Sequence, residues 1–112
     1  NERLAAAKMV AEKLAALENA IDDAIICAAE LAAVAPAARR KANLSPMVGQ
    51  DAIAKTGETL SALYSARAHI VAAHGDYAEV RDQIGIKPNM TGDLWKFASG
   101  KQNEPTAIRR VA

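Results

Sequence analysis

Apolar residues along the first third of the chain recur at alternating steps of three and four: Ala7, Val10, Leu14, Leu17, Ile21, Ala24, Ala28, Leu31 and Ala35. This four-heptad seam predicts a long helix packed along another helix at a shallow angle, as in a coiled coil. Alanine, Leu, Lys and Glu dominate residues 2–35, and neither Gly nor Pro interrupts them, so the first helix is expected over that whole stretch. At ~1.5 Å per residue it would be about 50 Å long. Lys8 and Glu12, four apart, add a small stabilising pair. Ala24 and Ala28 are small enough to let helix axes approach, so the closest crossing is expected there. Ile25 and Ile26 widen the apolar stripe, which suggests contact with a second neighbouring helix.

Pro36 is expected to end this helix, because proline disfavours helical geometry in the residue before it. Residues 37–44 then read as a basic, alanine-rich connector. Ser45-Pro46 opens a second helix, with Ser as cap and Pro at the first helical position, although Gly49 moves the regular start toward Gln50 or Asp51. The second helix is expected over about 47–84. Its seam is Ile53, Thr56 or Gly57, Leu60, Leu63 or Tyr64, Arg67, Ile70 or Val71, and His74. A capping-box pattern, Asp76 to Glu79, follows Gly75, but the apolar spacing continues to Ile84 and favours an unbroken helix. Gly85 is the natural stop, and Pro88 bars resumption. The fold class is therefore all-α: a long antiparallel two-helix hairpin over residues 1–86.

Residues 87–112 read as a separate docking tail. Asn89 to Gly92 is turn material, a short helix is expected near 93–98, and the remainder reads as extended. Leu94, Trp95 and Phe97 cluster three large apolar groups on that short segment, the composition of a plug that fills a groove, with a slight preference for a groove on a neighbouring molecule.

Composition changes the picture of the core. Of the residues counted in the 51% hydrophobic fraction, 27 are alanine, and one Trp, one Phe and two Tyr supply all the aromatic surface. A buried Leu, Ile or Phe stabilises by roughly 1.5–3 kcal/mol and alanine by far less. A lone hairpin of this composition would be a poor monomer, so homo-oligomerisation or attachment to a larger partner is expected. The net charge of +1 is unevenly placed: residues 1–35 carry −3, 36–50 carry +3, 51–85 carry −2 and 86–112 carry +3. Arg39, Arg40, Lys41, Arg109 and Arg110 are accordingly the candidates for touching an acidic partner or phosphate. Cys27, flanked by Ile25, Ile26, Ala28 and Ala29, reads as a small buried hydrophobe, and alone it forms no intrachain disulfide. No stretch approaches the ~20 apolar residues of a membrane span.

Candidate chemistry is sparse. Adjacent Asp22 and Asp23 point about 100° apart on a helix and do not converge, and His69 and His74 also diverge. Neither a paired-cysteine nor an H-E-x-x-H metal pattern is present, and no glycine-rich phosphate loop occurs. A Ser65–His69 contact is within helical reach but has no pocket or oxyanion hole around it. No cofactor and no catalytic residue is assigned. Nucleic-acid binding ranks behind protein assembly, because neither a compact groove-entering helix nor stacking aromatics accompany the bases.

The segment Arg67-Ala-His69-Ile-Val-Ala-Ala-His74, followed by Gln83-Ile-Gly85-Ile86, resembles small alanine-rich helical proteins encoded among structural genes of tailed bacteriophages and prophages of proteobacteria. The similarity covers residues 60–86 and carries no catalytic residues. It implies an assembly role in a virion, at the head, neck or tail, and a location in the particle or the host cytoplasm. The rival expectation is a bacterial cytoplasmic helical adaptor or regulatory protein, with nucleic-acid contact through the basic connector.

Overall fold

The computed structural model describes residues 1–86, and these are all-helical, with no strand among them. Helix α1 spans Glu2–Lys41 and α2 spans Gln50–Gln83. Residues 87–112 lie outside the described part of the chain. With them lie the expected short helix and the sites assigned to Leu94, Trp95, Phe97, Arg109 and Arg110.

Both helices end in the same way. Asn43 takes a left-handed conformation at φ 62°, while its N–H bonds to Arg40 O at 3.0 Å and the next N–H, from Leu44, bonds to Arg39 O at 3.1 Å. Gly85 repeats this at φ 84°, with its own N–H on Asp82 O and that of Ile86 on Arg81 O. Each pair of bonds satisfies carbonyls that the last helical turn leaves open. Gly85 is the stop expected from the sequence. The stop of α1 is not: the helix runs through Pro36 to Lys41. Proline removes one helical hydrogen bond and crowds the preceding turn. Ala37 and Ala38 are strong helix formers, the Asn43 closure satisfies the end, and Arg39, Arg40 and Lys41 suit the negative end of the helix dipole. These terms offset the proline, so residues 37–41 are helix and the connector is shorter than expected.

Replacing Asn43 by Ala should lower stability by about 1–2 kcal/mol, the cost of an ordinary residue in left-handed geometry. Asn43→Gly should be neutral or better. Thermal melting of the two variants checks the pair.

The start of α1 is capped by Asn1, whose Oδ1 accepts from the Leu4 N–H at 3.1 Å. Ser45 Oγ accepts from the Met47 N–H at 3.2 Å, fixing a turn ahead of Gly49, which sits at φ 77°. Helix α2 then begins at Gln50 and continues without a break through Gly75.

The chain falls into two compact units. The first joins Asn1–Glu18 to the stretch beginning at His69, and the second is Asn19–Ala68. All the buried described residues lie in the first: Ala7, Ala11, Leu14, His74, Ala78, Arg81 and Ile86. Ala11 and Ala78 form its apolar centre, at 2% and 5% exposure. The tightest packing therefore falls here, not at Ala24 and Ala28, which are only half-buried.

The seam of α1 departs from the expected one at Val10, Leu17 and Leu31, while Ala24 stays half-buried beside Ile25. Leu4, Ala7, Ala11, Leu14, Glu18, Ile21, Ile25, Ala28, Ala32, Ala35 and Arg39 are the residues withdrawn from solvent at heptad spacing. Ala7, Leu14, Ile21, Ala28 and Ala35 are shared with the expected seam, but Val10, Leu17 and Leu31 are exposed. Consecutive residues point about 100° apart on a helix, and apolar groups flank the shared positions on both sides. Ala11, opposite Ala78, permits a closer approach than Val10 would. On α2 the expected Ile53, Leu60, Leu63 and Ile70 are all half-buried.

Candidate functional site

The first unit buries two polar side chains, His74, which stands in the expected seam of α2, and Arg81. His74 is 6% exposed, and its Nδ1 lies 3.3 Å from Oε2 of Glu18, an ion pair whenever the imidazole is protonated. Arg81 is 3% exposed; its Nε and Nη2 both donate to Asp82 Oδ1 at 3.3 Å. Buried charged side chains are rare unless paired. At the same unit's end, Arg3 Nη1 donates to Ile84 O at 3.4 Å, tying the first turn of α1 to the last residues before Gly85.

Beside these residues run two shallow apolar hollows that share Val10 and Tyr77. One, of about 170 Å³, is bordered by Val80 and Ile84; the other, of about 390 Å³, by Met9, Leu17 and Ile70. Val10 and Leu17, expected inside the helix pair, instead form the wall of this groove.

The second unit carries one ion pair, Arg67 Nε to Asp22 Oδ1 at 2.8 Å, with both side chains nearly half-exposed. Exposed pairs of this kind contribute at most about 1 kcal/mol. Asp23 is exposed and away from it, so the two neighbouring carboxylates do not converge. Cys27 is exposed, which corrects its assignment to the interior. It directly precedes the seam residue Ala28 and so faces roughly 100° away from the seam.

Of the basic triad, Arg39 is half-buried and donates from Nη1 to Leu44 O at 2.8 Å, closing the end of α1. Arg40 and Lys41 are exposed. Ser65 and His69 are exposed as well. Among the described residues no group of three or more His, Cys, Asp or Glu is placed to hold a metal ion. No described helix is long and apolar enough to cross a membrane.

What the unit offers chemically is therefore surface. Ile26, Leu31, Val34, Met47 and Tyr64 are exposed on the second unit, and Leu31 is 55% exposed. Sequence reasoning missed Glu18 and Ala11 as seam residues. The heptad spacing of Leu4, Ala11, Glu18, Ile25 and Ala32 was a signal for them, hidden by the larger side chains one position earlier.

Neither a family model, nor a curated protein, nor a solved structure matches this chain.

Proposed function

We propose that the chain is a non-enzymatic assembly protein: a long antiparallel helical hairpin that associates side by side with further copies as a component of a bacteriophage particle. The observation that carries this reading is the second unit. The whole of Asn19–Ala68 contains no buried residue, while Ile26, Leu31, Val34, Leu44, Met47 and Val48 stand exposed. A two-helix surface of that kind leaves apolar area in water at a cost of roughly 25 cal/mol per Å², and a third or fourth helix laid along it removes that cost. The arginine–histidine pattern at residues 67–74 and the isoleucine–glycine–isoleucine helix end support the phage context by resemblance.

Fractionation tests this function. The chain should co-purify with assembled particles at fixed stoichiometry, and its absence from them contradicts a particle role. A second reading, a cytoplasmic adaptor touching nucleic acid, is favoured by exposed Arg40 and Lys41 beside each other at a helix end. Salt-sensitive retention on DNA that disappears in the Arg40→Ala, Lys41→Ala double variant would support that reading instead.

A further inference from the structure

We infer that the apolar groove of the first unit is the docking site for this chain's own C-terminal segment, with Trp95 and Phe97 as the inserted groups. Three observations argue for it. The first is shape and size. The smaller hollow, about 170 Å³, is almost wholly apolar at its walls, where Val10, Tyr77, Val80 and Ile84 meet. A dry hollow of roughly 150 Å³ is enough to take a benzene ring, whereas sites for whole small molecules start near 300 Å³. The smaller hollow thus matches an aromatic side chain in size.

The second is reach. The described chain ends at Ile86, two residues beyond Ile84 on the groove's own border. From Ile84 back to Ile70 the groove follows α2 for roughly 20 Å at 1.5 Å per residue. Trp95 lies nine positions after Ile86, enough to extend about 30 Å. A connection this short presents Trp95 to its own groove at an effective concentration of order millimolar, which favours the same molecule over a second copy.

The third is charge. Residues 87–112 carry five bases against two acids, a net +3. In the first unit's described residues, Glu2, Glu12, Glu18, Asp76, Glu79 and Asp82 outnumber Arg3, Lys8, Lys13 and Arg81. The net acidic balance of the unit attracts a basic segment over distance, while the charged residues that line the trough itself are Lys13 and Arg81. The docked tail covers the first unit, while the second unit's surface stays open for assembly. The inference thus stands apart from the assembly reading.

Trp95 is the sole tryptophan and reports directly. In the full chain its fluorescence should be blue-shifted, protected severalfold from acrylamide, and unchanged on dilution. Val80→Glu in the groove and Phe97→Ser in the tail should each shift emission to the red and restore quenching, with far-UV circular dichroism still helical. Phe97→Ser leaves the helix pair untouched, so the test stands even if Val80→Glu unfolds it. Solvent-like emission in the unaltered chain overturns the inference. So does protection lost on dilution, which would place the tail in a second copy's groove, or protection that survives both substitutions.

Discussion

Leu14→Asp should unfold the first unit, whereas Leu17→Asp, three residues along the same helix, should leave it folded. Leu14 is buried against α2 and Leu17 is 48% exposed. Truncating a buried leucine to alanine costs about 2–5 kcal/mol, and an aspartate there adds the desolvation of a carboxylate. Single domains have only about 5–15 kcal/mol in total, so helical content measured by circular dichroism should fall sharply or the melting temperature should drop by well over 10 °C. Leu17→Asp should cost far less than Leu14→Asp and leave the two helices of the unit folded, since Leu17 is not packed between them. Equal damage from both would restore the seam through Val10, Leu17 and Leu31. The contrast therefore measures which heptad register holds the helices together.

The second large effect is expected on association. Leu31→Asp alters an exposed position on the second unit, so helicity should survive. If that surface is covered by another copy, each copy loses the burial of one leucine, roughly 1.5–3 kcal/mol, and gains a charge in an apolar interface. Association should weaken roughly ten- to a hundredfold, visible as a shift of the mass distribution toward the single chain. Association unchanged by Leu31→Asp would place the contact elsewhere.

The helices themselves were legible in the sequence, because alanine-rich heptads leave no competing structure. Gly85 was legible as a stop from local backbone chemistry. Ser45 and Pro46, expected to open α2, instead form a separate turn, and the helix starts at Gln50, the later start that Gly49 pointed to. Pro36 misled, since its local penalty is smaller than the combined support of the alanines after it and the closure at Asn43. The seam was legible in half its positions. Where larger residues such as Val10 and Leu17 sit one step before smaller ones, hydrophobicity prefers the larger. Packing distance prefers the smaller, and only the partner helix decides between them. The same ambiguity hid Glu18 in the seam and put Cys27 wrongly inside. His74 was legible as a seam residue, but how deeply it and Arg81 are buried is set by the opposite helix, information that no window of a single helix contains.

The exposed apolar side chains of the second unit make association the property on which the proposed function depends. The most direct test is the native mass of the unaltered chain by light scattering over a range of dilutions. A multiple of the 11.8 kDa chain mass is expected, falling toward a single chain only on strong dilution. A mass of 11.8 kDa at every concentration, with full helicity retained, would contradict the proposed association.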